Sequence, residues 1–220
     1  MSGPLFPIDG AVFDADGTLI DSMGAWSTVS FRYLRSRGRE PRPDLLETVR
    51  TMTLPQSAAY FRSAYGIEDS VDQIVSDIHG LIEGGYQRDF ELKPFVPEVL
   101  RALRRSGVKL AVATATDRYL VEAALRRGGV LELFEGIVTC RDVDAGKDSP
   151  AVFLEAARLT GSPAERTLVF EDALFAMLTA KAAGFRVCAV YDPTAEAQSS
   201  EIRAAADMYL YSFFDWFSAP

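Results

Sequence analysis

The sequence predicts an α/β protein in which an open parallel sheet is interrupted early by an all-helical segment. Two changes of periodicity carry this prediction. An apolar run of strand length at residues 8–13 gives way to helical spacing from residue 21 to about residue 90, and after residue 94 helix and strand patterns alternate. Such alternation is typical of βαβ units, whose strands form a parallel sheet. With 220 residues and 48% apolar content, the chain is long enough for one main domain and a modest appendage.

The first strand is predicted at residues 8–13 and ends at the polar segment Asp14–Thr18, DADGT. The helical pattern that follows is divided by glycines and prolines into three or four helices. We therefore expect residues 20–91 to form a helical domain inserted between the two parts of the α/β domain, residues 1–19 and 92–220.

The chain after residue 94 is predicted to alternate between helices and strands. Strands are expected at residues 108–113, 136–139, 167–170, 185–190 and 208–210. Helices are expected near residues 97–106 and 118–127, from residue 150, before residue 184, and near residues 195–206. Gly107, Gly128 and Gly184 mark helix ends, because glycine readily adopts the backbone conformation that closes a helix.

Charge and cysteine content narrow the class of protein. The formal net charge is −8 and no Lys/Arg-rich run occurs, so we expect no nucleic-acid partner. The two cysteines, Cys140 and Cys188, are far apart and predict buried free thiols rather than a disulfide or a zinc site. The sequence shows no secretory leader and no apolar segment of membrane-spanning length, so we expect a soluble, cytoplasmic protein without a membrane partner.

Polar residues cluster where the predicted strands end. They are Asp14 with Asp16, Thr114 with Thr116, Lys147, and Glu171 with Asp172. In an open parallel sheet the carboxyl ends of the strands meet at one edge, and ligands bind there. The sequence therefore predicts a polar site at this edge.

Asp14 and Asp16 lie two residues apart in an extended segment, so their side chains can serve different tasks. One carboxylate can attack phosphorus, and the other can protonate the leaving oxygen and later activate water. The same residues also fit a simple turn in which aspartate side chains cap the backbone. For these two residues taken alone, both interpretations stay open.

The other strand ends favour phosphoryl transfer. Glu171 and Asp172 add hard oxygen ligands of the kind that Mg²⁺ prefers. Lys147 can neutralise the nucleophile, while the Thr114 hydroxyl and the backbone N–H of Ala115 can bind phosphoryl oxygens. Each residue alone has an ordinary structural explanation, but their occurrence at consecutive strand ends favours a common site.

In this order and over the whole chain, these residues resemble the motifs of the haloacid dehalogenase-like (HAD) superfamily. The matching segments are Asp14–Thr18, Thr114, Gly146–Lys147 and Glu171–Asp172. The helical insertion resembles the small α-helical cap of the group that contains β-phosphoglucomutase and many sugar-phosphate phosphatases. The resemblance implies a Rossmann-like, three-layer core with sheet order 5-4-1-2-3 and a mobile cap at residues 20–91.

The resemblance also implies roles for the site residues. Asp14 would be the nucleophile and a Mg²⁺ ligand, and Asp16 would be the acid/base, with its backbone carbonyl on the metal. Asp172 would bind the metal directly, and Glu171 would lie in the metal shell. An aspartate at position 16 argues against dehalogenation, because the dehalogenases of the superfamily lack it.

Two departures concern the substrate. The mutase of this group has a histidine in its first cap helix, and an ungapped alignment from Asp14 places Trp26 there; the only histidine, His79, is predicted to be a surface or packing residue. The stretch comparable to the family's specificity loop, residues 51–55, contains no arginine. We expect Trp26, Thr51 and Met52 to contact the substrate from the cap.

The function predicted on these grounds is Mg²⁺-dependent hydrolysis of a small phosphomonoester, a sugar phosphate or a similar metabolite, through an aspartyl-phosphate. The nearest alternative is a hexose-phosphate mutase of the β-phosphoglucomutase type, and a third is a non-catalytic binding protein on the same fold. We expect a monomer, with a dimer as the alternative. The sequence does not identify the metabolite.

Overall fold

The computed structural model describes residues 6–49 and 52–218. In this part of the chain six strands form one sheet: β1 Gly10–Phe13, β2 Lys109–Thr114, β3 Phe134–Thr139, β4 Thr167–Glu171, β5 Arg186–Val190 and β6 Met208–Leu210. Neighbouring strands all pair in parallel, in the order β3-β2-β1-β4-β5-β6. The α/β class is confirmed. The first five strands stand in the implied order, and β6 extends the sheet beyond β5.

Four described helices lie between β1 and residue 85: α1 Met23–Ser36, α2 Leu45–Val49, α3 Leu54–Tyr65 and α4 Val71–Gly84. The other described helices are α5 Val96–Arg105, α6 Arg118–Arg127, α7 Ala151–Thr160, α8 Leu174–Ala182 and α9 Ser199–Ala205. Short 3-10 turns occur at Leu131–Leu133, Ala164–Arg166, Pro193–Gln198 and Phe213–Phe217.

Alternate residues of the central strands pack on opposite faces of the sheet. Phe13 and Phe170 lie on one face, where their rings stack with centroids 4.3 Å apart. Val12 and Val169 lie on the other face, in a second apolar cluster with residues of α7 and α8. Because side chains alternate along a strand, a continuous apolar run supplies both clusters, and this produces the three-layer arrangement.

Local signals define the helix ends within the insertion. The Thr53 hydroxyl accepts a hydrogen bond from the Gln56 backbone at 3.3 Å, and the Gln56 side chain accepts one from the Thr53 backbone at 2.7 Å. This reciprocal capping box starts α3. Gly66, with φ of 63°, ends it in a left-handed conformation.

The helix α4 ends at Gly84, the first residue of a glycine pair, and the chain continues directly into a π-helical turn, Gly85–Asp89. The Phe90 ring packs against Gly85 so closely that a Cβ at this position would lie 2.2 Å from Phe90 Cζ. Glycine at position 85 therefore allows close packing within the turn.

The two connections between the inserted helices and the sheet run side by side. Ile20 and Leu92 form an isolated antiparallel bridge, and the Lys93 backbone N–H donates to the Leu19 carbonyl at 2.9 Å. The Lys93 side chain donates to the Asp192 carboxylate at 2.9 Å, just past β5. These contacts attach the second connection to the carboxyl edge of the sheet.

Two further sequence predictions concern the core and the membrane. Cys140 and Cys188 are buried free thiols, as predicted. Among residues 6–49 and 52–218, no helix has the length and apolar character needed to cross a membrane.

Candidate active site

The candidate site lies at the carboxyl ends of β1, β2 and β4. The Asp14 backbone N–H donates to the Phe170 carbonyl at 2.9 Å, so the pairing of β1 with β4 continues to the first polar residue. The Thr114 carbonyl accepts from the Cys140 backbone N–H at 2.8 Å. The sheet thus fixes the backbone positions of the residues that the sequence singles out.

Three carboxylates form a buried cluster at this edge. Asp14, Glu171 and Asp172 each contribute an oxygen, and these oxygens all lie within 4.8 Å of one another. Burial raises the pKa of Asp14 to about 8; the charge of Lys147 opposes this rise and that of Glu171 adds to it. Burial, reinforced by the charge of Glu171, also raises the pKa of Asp172 well above its ordinary value. The protein alone leaves this cluster short of positive charge.

Lys147 bridges two members of the cluster. Its Nζ donates to Asp14 Oδ1 and, at 2.5 Å, to Glu171 Oε1. Burial acts to lower the pKa of the ammonium, but the charges of the two carboxylates raise it above its ordinary value. Lys147 is therefore held as a cation between β1 and β4.

Hydrogen bonds to both carboxylate oxygens orient the Glu171 side chain. Lys147 contacts Oε1, while Oε2 accepts from the backbone N–H groups of Asp172 at 3.1 Å and Ala173 at 3.2 Å. The side chain is 1% exposed. Oε1 accepts from one donor only and retains a lone pair, so Glu171 can still face a cation.

Asp16 is held by three side-chain hydroxyls. Ser22 donates to Oδ1 at 2.5 Å, Tyr86 also donates to Oδ1, and Thr116 donates to Oδ2 at 2.6 Å. Trp26 Nε1 in turn donates to the Tyr86 hydroxyl at 2.7 Å. The Asp16 side chain is not in the three-carboxylate cluster; its implied part in metal binding is through its backbone carbonyl and stays a prediction.

The loop after β2 contains the predicted phosphate-binding residues. Thr114 is buried, and its hydroxyl accepts from the Thr116 backbone N–H at 3.0 Å, while Ala115 is exposed between them. This bond turns the backbone at the strand end. Phosphate binding by Thr114 and Ala115 stays a prediction.

The three residues predicted to contact the substrate from the cap lie in different surroundings. Trp26 is half-buried and reaches Asp16 only through Tyr86. Thr51 lies outside the described residues. Met52 is half-buried and precedes Thr53, whose methyl group lies 3.3 Å from where a Cβ on Gly146 would be. The start of α3 therefore approaches the loop that carries Lys147.

Sequence reasoning missed part of the Asp16 environment. Thr116 stood among the strand-end residues but was given no role, and Ser22 and Tyr86 were not considered. Ser22 follows the first motif closely and could have been noticed as a hydroxyl near the site. Tyr86 gives no local signal, because it meets Asp16 across 70 positions of the chain.

The parallel sheet between two helical layers, with an acidic cluster and a lysine at its carboxyl edge, defines the class of protein as a Rossmann-like α/β protein with a polar site where the strands end. The family model described as "Haloacid dehalogenase-like hydrolase" matches residues 11–190, and the chain belongs to this family. The family predicted from the sequence is confirmed.

Two curated relatives match this chain in sequence over most of its length. Bifunctional riboflavin kinase/FMN phosphatase of Arabidopsis thaliana is 31% identical over 98% of this chain and 56% of its own length. Hexitol phosphatase B of Escherichia coli (strain K12) is 26% identical over 92% of this chain and 91% of its own. The chain spans only 56% and 10% of the lengths of the first two matching curated relatives.

Solved structures share the fold. The crystal structure of CbbY from Rhodobacter sphaeroides in complex with phosphate superposes with a TM-score of 0.78 at 25% identity. The match covers 94% of this chain and 95% of that one. The likeness therefore extends over the sheet and the inserted helices together.

Proposed function

We propose that the protein is a Mg²⁺-dependent phosphatase that hydrolyses a small phosphomonoester, a sugar phosphate or a similar metabolite, through an aspartyl-phosphate on Asp14. The observation that carries the proposal is the buried cluster of Asp14, Glu171 and Asp172 with Lys147 bridging two of its members. Membership of a hydrolase family and the phosphatases named among its relatives support it.

The donor set fits Mg²⁺. Three buried carboxylates share the single positive charge of Lys147, and burial raises the pKa of Asp14 and of Asp172. A divalent cation bound by hard oxygen ligands would offset the excess negative charge. We propose Asp14, Asp172 and the Asp16 backbone carbonyl as ligands, with Glu171 in the metal shell. When bound, Mg²⁺ would reduce the repulsion between the nucleophile and an anionic phosphate.

The proposed reaction has two steps. In the first, an Asp14 carboxylate oxygen bonds to phosphorus, the ester P–O bond breaks, and the Asp16 carboxyl gives its proton to the leaving oxygen. In the second, water attacks phosphorus of the aspartyl-phosphate and Asp16 takes the proton from that water. Inorganic phosphate leaves, and Asp14 returns to its starting state.

The remaining residues hold the phosphoryl group. Lys147 supplies a fixed positive charge beside Asp14, and the Thr114 hydroxyl and Ala115 backbone N–H are proposed to bind the equatorial oxygens. Charge that is positioned before the reaction stabilises the transition state without reorganisation.

We propose that residues 20–91 form a cap domain on the α/β domain of residues 1–19 and 92–220. The antiparallel bridge between Ile20 and Leu92, where the chain enters and leaves the insertion, supports this division. The hydrogen bond from Tyr86 to Asp16 and the approach of Thr53 to Gly146 support a cap that faces the site. A small phosphorylated metabolite is the proposed partner. We retain the cytoplasm as the proposed location and a monomer as the proposed state, with a dimer as its alternative.

Trp26 supports hydrolysis over the mutase alternative. Its ring nitrogen donates to Tyr86 at 2.7 Å, and an indole N–H is a donor only. Trp26 therefore cannot exchange a proton with a sugar hydroxyl as a histidine could. Water is the proposed acceptor of the phosphoryl group.

The test is a screen of the purified protein with Mg²⁺ against phosphorylated sugars, polyols and flavin mononucleotide, with release of inorganic phosphate as the readout. We expect release from at least one of them and its loss in Asp14→Asn, while Asp44→Asn, a change at an exposed aspartate of the insertion, leaves it intact. Conversion of β-glucose 1-phosphate to glucose 6-phosphate without net release would favour the mutase. Failure to react or to form an acyl-phosphate would favour a binding protein.

A further inference from the structure

The Asp16 carboxylate is reached by one residue from far along the insertion. Ser22 and Thr116 lie just beyond β1 and β2, but Tyr86 lies in the π-helical turn after α4. Its hydroxyl donates to Asp16 Oδ1 and accepts from Trp26 Nε1 at 2.7 Å. A chain of two hydrogen bonds therefore joins α1, the π-helical turn and the first motif.

The Tyr86 side chain has little freedom to move. It is 0% exposed, and its ring packs edge-on against Phe90 with centroids 5.0 Å apart. Phe90 is in turn fixed against Gly85. A hydroxyl on so rigid a support holds its acceptor in a defined orientation.

Asp16 needs such an orientation. Two donors on Oδ1 and one on Oδ2 fix the plane of the carboxylate. Removal of the Tyr86 hydroxyl would leave Oδ1 with Ser22 alone and would leave Trp26 Nε1 without its acceptor. Proton transfer is sensitive to such changes, because small misplacements of a catalytic group cost large factors in rate.

We propose that Tyr86, supported by Trp26, is a positioning residue that orients the Asp16 carboxyl for proton transfer to the leaving group. Tyr86 acts through Asp16 and needs no contact with the substrate. The inference rests on the proposed function, in which Asp16 is the acid/base.

The test compares two leaving groups. Sorbitol 6-phosphate needs a proton on its leaving alkoxide, whereas 2,4-dinitrophenyl phosphate leaves as a stable phenolate. In Tyr86→Phe we expect kcat/KM for sorbitol 6-phosphate to fall about 10- to 100-fold, as for loss of a hydrogen bond to a charged group. For 2,4-dinitrophenyl phosphate we expect a fall of less than about threefold, because general acid catalysis contributes little there. If the screen identifies a better alkyl phosphate, that ester takes the place of sorbitol 6-phosphate.

Tyr33→Phe is the matched control. Tyr33 is a second buried tyrosine of the insertion, and among residues 6–49 and 52–218 its hydroxyl makes no hydrogen bond to the candidate site. The Arg37 guanidinium lies beside it, 5.5 Å from the ring centroid. We expect this variant to hydrolyse both esters as the wild type does.

Trp26→Phe tests the same proposal and replaces Tyr86→Phe if that variant does not fold. We expect kcat/KM for sorbitol 6-phosphate to fall selectively in Trp26→Phe, but less than in Tyr86→Phe. The double variant should lose no more activity than Tyr86→Phe alone. Equal losses on both esters, or no loss on either, would overturn the proposal. A wild type that hydrolyses neither ester nor any other in the screen would instead refute the proposed function itself.

Discussion

The Tyr86 hydroxyl donates a hydrogen bond to the Asp16 carboxylate, although the two residues stand 70 positions apart. The contact joins the end of the inserted helices to the first loop of the sheet. The proposed acid/base is thus held by side chains from both parts of the chain.

Removal of the bridging lysine should destabilise the protein strongly. In Lys147→Met, the buried carboxylates of Asp14 and Glu171 would face each other without their cation. We expect the free energy of unfolding in Mg²⁺-free buffer to fall by about 3–5 kcal/mol, because a buried charge loses its partner. Urea denaturation measures this. Lys181→Met, which breaks a more exposed pair with Asp207, should cost less than about 1 kcal/mol; similar losses would contradict the argument.

Mg²⁺ should stabilise the folded protein through the acidic cluster. Cation binding relieves the repulsion among Asp14, Glu171 and Asp172, and a ligand that binds only the folded state raises its stability. We expect saturating Mg²⁺ to raise Tm by about 5 °C or more relative to EDTA. Asp172→Asn should abolish the shift, whereas Asp44→Asn should retain it. The cluster would not be the binding site if Asp172→Asn responded like the wild type.

Two glycines of the insertion should respond oppositely to alanine. A Cβ at Gly85 would lie 2.2 Å from the Phe90 ring, whereas one at Gly80, on the exposed side of α4, meets nothing within 4 Å. We expect Gly85→Ala to cost about 1–3 kcal/mol through overpacking. Gly80→Ala should stabilise by about 0.5–1 kcal/mol, because alanine favours the helix. Thermal unfolding of both variants measures the difference, and equal effects would refute the packing argument at Gly85.

Protonation of His79, the only histidine in the sequence, should lower the free energy of unfolding as the pH falls below neutrality. His79 Nδ1 lies 3.4 Å from Asp117 Oδ2, and the Tyr119 ring lies edge-on at 6.3 Å. Burial lowers the pKa of His79 below its ordinary 6.5; Asp117 and Glu83 oppose this lowering, and Arg141 adds to it. Protonation of His79 is therefore easier in the unfolded chain, so its contribution is present above about pH 6.5 and is lost as the pH falls.

His79→Gln isolates this contribution from that of other groups. Between about pH 7.5 and pH 5.5, the variant should lose less unfolding free energy than the wild type, as measured by urea denaturation. A larger loss in the variant would mean that attraction to Asp117 outweighs burial, and the sign of the pKa shift would then be wrong.

Local patterns were enough for the architecture. The apolar runs at residues 10–13 and 168–170 are buried on both faces, and such runs are typical of the central strands of a parallel sheet. The helical spacing from residue 21 likewise predicted the insertion. Local patterns did not predict the π-helical turn after Gly84, since a glycine that permits close packing looks the same in sequence as one that ends a helix.

By itself, the sequence determined the α/β class and which polar residues follow the strands, because these properties depend on periodicity and on residue types close together in the chain. The resemblance of its motifs to a known superfamily supplied the family and the order of the first five strands. Only the tertiary structure decided that Lys147 bridges Asp14 and Glu171, and that Ser22, Thr116 and Tyr86 converge on Asp16. Except for Ser22, which is close to Asp16 in the chain, the contacts to Asp14 and Asp16 join positions 70 to 133 apart, and no local pattern encodes that packing.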